Sequence, residues 1–134
     1  MQIEREGQLI AIIHRKEDWV EGLSFLSPDE SFCQVGTWWY QAGKSLQAHK
    51  HIINERPNFL TQECVIVMNG SIRVNLYDSN DQHFCSEVLC AGDIMVMLAG
   101  GHGYEILEPN TKAVECKNGP FVSVESDKIS INLP

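Results

Sequence analysis

The chain lacks any apolar run near the ~20 residues that a membrane-spanning helix requires. Its first residues, Met1-Gln2-Ile3-Glu4-Arg5-Glu6, are charged, with no apolar stretch behind them. A cytoplasmic protein with no membrane partner is therefore expected. Basic residues are also scarce, with 10 Lys and Arg against 18 Asp and Glu and a net charge of -8. That balance leaves no basic patch for nucleic acid and no attraction to anionic lipid. No CxxC pair is present. The five cysteines, Cys33, Cys64, Cys85, Cys90 and Cys116, are odd in number and scattered, which suits reduced, inert thiols rather than a disulfide framework. Cys64 and Cys116 lie in apolar runs, where a free thiol acts as a small hydrophobe. A long, capped helical period is missing too. Only Arg15 to Glu21 carries a weak helical signal.

What remains is a series of about ten short strand-like runs separated by turn residues, in one domain spanning 1–134. They cover Gln8–His14, Gly22–Ser27, Ser31–Gln41, Leu46–Ile52, Leu60–Asn69, Ser71–Tyr77, His83–Leu89, Ile94–Leu98, Gly103–Leu107, Thr111–Lys117 and Phe121–Val124. An all-β sandwich or small barrel is expected. The segment Leu60–Asn69 is apolar on both faces. If Glu63 points inward with Val65 and Val67, then Cys64, Ile66 and Met68 need a second cover. N-terminal strands or a second subunit can supply it, and a homodimer is expected. The tail from Glu125 to Pro134 is read as covering an edge or exchanging with a partner.

The chemistry centres on His49-Lys50-His51, Glu63 and His102. Side chains two apart on a strand share a face, so His49 and His51 point the same way. A carboxylate and a third imidazole complete a donor set suited to a divalent transition metal. Glu55 is read as solvated loop within 52–59, a segment placed at the rim of the site. His14 and His83 stand alone and read as ordinary histidines. Trp38 and Tyr40 share a face opposite to Trp39, and packing is their expected duty. Tyr104 shares a face with His102 and is a candidate acid-base or orienting group as well as a packing residue. Arg73 and Lys117 read as solvated cations, with Glu115 a possible partner of Lys117.

These spacings resemble the cupin superfamily. In its first motif a glycine, five residues and His-x-His precede a glutamate, six residues and a second glycine. Here Gly43 precedes His49-Lys50-His51, and Glu63 precedes Gly70, across a longer spacer than the family's usual one. Its second motif corresponds to Gly92-Asp93 through Leu98-Ala99-Gly100-Gly101-His102. Leu98 stands where the family has proline, one residue rather than two separates Gly100 from His102, and the closing asparagine is absent. The two motifs span residues 43–102. The resemblance extends to small stand-alone bacterial cupins, some of which accompany carbohydrate biosynthesis.

The resemblance implies a double-stranded β-helix, or jelly-roll barrel. His49, His51, Glu63 and His102 would hold one divalent metal (Fe, Mn, Ni, Co or Zn) with positions open to ligand. It implies a metalloenzyme acting on a small oxygen-rich molecule, a sugar derivative or organic acid, by isomerase or epimerase chemistry or as a dioxygenase. The rival expectation is a non-catalytic cupin that binds or senses a small ligand.

Overall fold

The computed structural model describes residues 1–120 and 122–131. Ten strands form: β1 (Gln2–Arg5), β2 (Gln8–His14), β3 (Gly22–Phe25), β4 (Gly36–Trp39), β5 (Glu63–Asn69), β6 (Ser71–Tyr77), β7 (His83–Cys90), β8 (Ile94–Met97), β9 (Gly101–Ile106) and β10 (Lys112–Lys117). A 3-10 turn at Lys16–Asp18 occupies the weak helical stretch. A one-turn helix α1 (Val124–Asp127) lies near the C-terminus. Every strand pairing is antiparallel. The all-β expectation holds.

Among the described residues, no sheet closes into a barrel. The strands form a five-stranded sheet, β1-β2-β8-β5-β10, a three-stranded sheet, β7-β6-β9, and a separate β3-β4 pair. The two larger sheets share one core. Ile10, Ile13, Val65, Val67, Met95 and Met97 from the first meet Ile72, Val74, Leu76 and Leu89 from the second. The clean alternation of Ile72, Val74 and Leu76 supplies one face of that core, as a half-buried strand should.

The second apolar face of β5 has its cover within the chain. Cys64, Ile12, Ile94, Val96 and Leu98 form a smaller cluster on the outer side of the five-stranded sheet. Trp19, Leu26, Cys33 and Val35 pack onto it, with Ile66 at its margin. The segment between β2 and β4 therefore occupies the position the sequence left open to a second subunit. The run Leu46–Ile52 forms no strand. Residues 44–60 carry no helix or strand, and nearly all of them are exposed. Of the strand expected over Phe121–Val124, Phe121 lies outside the described residues and Val124 opens α1.

Gly70 makes the corner at which the chain leaves one sheet for the other. Its φ is +74°, and a Cβ there would lie 2.3 Å from Thr111 Oγ1. Only glycine fits both the conformation and the space.

A second tie joins the end of β2 to the β7-β8 turn. Asp93 Oδ2 accepts from the Cys90 N–H at 2.9 Å and from Arg15 Nη1 at 3.0 Å. Asp93 Oδ1 accepts from the Lys16 N–H at 3.0 Å. Burial pushes the carboxyl up, but the two backbone donors and Arg15 outweigh it and hold it below its ordinary value. Asp93→Ala takes the acceptor from the Cys90 and Lys16 N–H groups and one of its partners from Arg15, which costs about 2–3 kcal/mol near neutral pH. Because the folded-state value is depressed, this stability is present above the unfolded value. It is lost as pH falls through the folded one. Urea titrations should show the gap between wild type and D93A closing as pH drops below 3.8. A gap unchanged down to pH ~2 would contradict the account.

Candidate functional site

Glu63 is the first residue of β5 and points the same way as Val65 and Val67, so its carboxylate ends the apolar row between the two sheets. Its side chain is only 5% exposed. A carboxylate so placed needs partners, since an uncompensated buried charge costs several kcal/mol. Two residues of β9, in the facing sheet, supply them. His102 Nε2 lies 2.7 Å from Glu63 Oε1, and the Tyr104 hydroxyl donates to the same oxygen at 3.1 Å. His102 and Tyr104 are two apart on a strand, and their rings sit 5.2 Å apart, tilted by 49°.

The glycine pair before His102 sets this geometry. Gly100 has φ +72°, and a Cβ there would lie 2.5 Å from the Tyr77 carbonyl oxygen. The chain can turn from β8 into β9 only because no side chain is present. Burial pushes the Glu63 carboxyl up. The hydrogen bond and charge of His102, the Tyr104 hydroxyl and the charge of Lys128 outweigh it, and the net shift is downward. The Tyr104 phenol moves well up, first through burial and then through the Glu63 charge, so it stays protonated at any physiological pH.

These three groups lie on the wall of a cavity of about 710 Å³, within the range of small-ligand pockets. Thr61, Tyr77, Met97, Glu115 and Lys117 contribute to the wall. The tail completes it: Val124, Asp127 and residues 128–131 line the cavity. Lys117 Nζ bonds Asp127 Oδ2 at 2.7 Å and fastens α1 to β10. Lys117 is thus not a solvated cation. It anchors the tail, which forms part of the cavity wall. The Ser123 hydroxyl caps α1 by accepting from the Ser126 N–H. Asp127 and Lys128 join the site from the tail without a motif of their own. No local spacing marks them, because each reaches the cavity through long-range topology.

His49 and His51 lie apart from this cluster in register and burial. Both are exposed in the segment without regular structure. They remain neighbours, with ring centroids 5.2 Å apart, and His49 Nδ1 contacts the Gln47 carbonyl at 3.1 Å. Glu55 is exposed, as expected. Glu63 Oε1 and His102 Nε2 stand at 2.7 Å, the distance of a direct hydrogen bond and closer than neighbouring ligands on a tetrahedral ion with bonds of ~2.0–2.2 Å. Among the described residues, no group of three His, Cys, Asp or Glu side chains is arranged to hold a metal ion. The expected set of His49, His51, Glu63 and His102 is therefore not brought together among the described residues.

The remaining residues divide between packing and surface. His14 is buried against Trp19, with ring centroids 5.9 Å apart, and its Nε2 has no hydrogen-bond partner among the described residues. His83 bonds the Ser86 hydroxyl at the surface. Arg73 pairs with Glu105, its cross-strand neighbour on β9. Trp38 and Trp39 are both substantially exposed rather than packed. No helix of the described residues is long and apolar enough to cross a membrane. Comparison with protein-family profiles, with curated proteins and with solved structures gives no match.

Tyr104→Phe removes one hydrogen bond to a buried carboxylate while keeping the ring. The expected loss is about 1–2 kcal/mol, read as a lower urea midpoint with an unchanged slope. Stability equal to wild type would show that the hydroxyl does not serve Glu63.

Proposed function

We propose that this chain is a cupin-like protein whose cavity binds a small oxygen-rich molecule, a sugar derivative or an organic acid. Glu63 and His102 would move a proton on that molecule in an isomerase or epimerase reaction. The single observation that carries this reading is the convergence of His102 and Tyr104 on Glu63 Oε1 at the wall of the cavity. Two antiparallel sheets around one core support the jelly-roll part of the proposal.

The chemistry follows from the pairing. A carboxylate 2.7 Å from Nε2 favours the tautomer in which that nitrogen carries the proton. Nδ1 then keeps its lone pair and serves as base toward a proton beside a carbonyl. As His102 becomes cationic, the adjacent Glu63 charge stabilises it, the role an acid plays in a carboxylate-histidine dyad. The Tyr104 phenol gives its one proton to Glu63 Oε1 and so helps hold that carboxylate in place beside His102. The threonine, lysine and carboxylate groups of the wall suit hydroxyl-rich ligands.

The test is proton exchange. The full chain is incubated in deuterated water with a panel of aldoses, ketoses, hydroxy acids and oxo acids. Deuterium uptake beside the carbonyl is followed by NMR. At least one compound should exchange, with a loss of about 10²-fold or more in His102→Gln. Exchange at the wild-type rate in H102Q would overturn the assignment. This proton chemistry also predicts activity that survives chelators and the His49→Ala/His51→Ala double substitution. If activity and bound metal disappear together in that variant, a metal-centred mechanism using His49, His51, Glu63 and His102 replaces it.

One observation favours a second reading. The Lys117-Asp127 ion pair holds the tail against the cavity as part of its wall, as in a ligand-binding module whose tail reports occupancy. Saturable binding from the same panel, with no exchange in any member, would select that reading.

A further inference from the structure

Three of the five cysteines, far apart in sequence, meet on the outer face of the five-stranded sheet. Cys64 on β5 and Cys116 on β10 are direct cross-strand partners. Opposed residues in antiparallel strands point to the same face, with Cα atoms ~4.5–5.5 Å apart. That separation lies inside the ~4.4–6.8 Å range a disulfide spans. Cys64 belongs to the outer apolar cluster, and Cys33 packs against that cluster. All three thiols are free.

We propose that Cys64 and Cys116 form an oxidation site that closes into a cross-strand disulfide when the protein meets a peroxide. The inference does not depend on the function of the cavity. Accessibility divides the roles. Cys116 is exposed, whereas Cys64 is 3% exposed. The Cys116 sulfur attacks one peroxide oxygen, the O–O bond breaks, and Cys116 becomes a sulfenic acid as one water leaves. The Cys64 sulfur then attacks the Cys116 sulfur. The S–S bond forms, the S–O bond breaks, and the hydroxyl departs as a second water with the Cys64 proton. Two thiols lose two electrons and one hydrogen peroxide gains them.

Burial pushes the Cys64 thiol up to about 12, with Cys33 and Cys116 adding to the shift. Burial and that shift keep Cys64 from attacking peroxide in solution, and its place directly opposite Cys116 makes it the partner that resolves the sulfenic acid. Cys33 is the one competing partner within the cluster. The bond would also act on the cavity wall. Glu63 and Lys117, each next in sequence to one of these cysteines, are themselves register partners. Oxidation would pin the strand pair that presents both.

The experiment treats the full chain with hydrogen peroxide, blocks remaining thiols with iodoacetamide, and maps peptides by mass spectrometry without reduction. The expected product is a monomer lighter by two hydrogens, with Cys64 and Cys116 linked and Cys33, Cys85 and Cys90 alkylated. C33S should form the same link. C116S should form none, and C64S should hold a sulfenic acid at Cys116 that dimedone traps. Circular dichroism establishes that each variant is folded. Full alkylation of Cys64 and Cys116 in peroxide-treated wild type would overturn the proposal. So would a link to Cys33 in place of Cys64, or a dimedone adduct that is absent from folded C64S.

Discussion

The site depends on keeping one carboxylate charged at the end of an apolar row. Glu63 continues the file of Val65 and Val67 into the space between two sheets. A glutamate there has two outcomes, protonation or partners. Partners prevail here, and both come from β9, on the opposite sheet. The alignment of β9 with β5 is therefore a requirement of charge compensation as well as of packing. The Gly100 turn serves that alignment, since it brings the chain from β8 on one sheet to β9 on the other. The tail, latched by Lys117 and Asp127, then lines the space beside the charged group.

Much of the fold was legible because it rests on alternation and turns. Ile72, Val74 and Leu76 declared an inward face, and Asn69-Gly70 declared a break. That break proved to be a corner between sheets, since β5 and β6 are not paired. The two-faced apolar character of β5 likewise demands two covers, and the outer cluster around Cys64 and Ile66 is the second. The identity of the outer cover was not legible. Trp19, Leu26, Cys33 and Val35 come from a segment whose path over the sheet is a long-range property. The run Leu46–Ile52 shows the limit of pattern. Its composition suits a strand, but it has no strand neighbour among the described residues and stays exposed.

The site was half legible for the same reason. Glu63 and the pair His102 and Tyr104 could be chosen from strand parity and the glycine pair, and the structure brings them together. His49 and His51 carry an equally suggestive spacing, yet local spacing fixes only their relation to each other, and that relation is retained. Whether they face a cavity depends on strand pairing that residues 44–60 do not make. The partner of Lys117 was not legible, because an ion pair to a residue ten positions away in the tail leaves no periodic signal. The cysteines illustrate the converse. Scattered in sequence, Cys64 and Cys116 become neighbours through register alone.

The most direct measurement is the side-chain nitrogen and proton NMR spectrum of His102, assigned by comparison with His102→Gln. If Glu63 holds the imidazole, Nε2 carries a proton that resonates far downfield, exchanges slowly with water, and loses both properties in Glu63→Gln. An Nε2 resonance without a proton in folded wild type, or one unchanged in E63Q, would contradict the pairing on which the site is built.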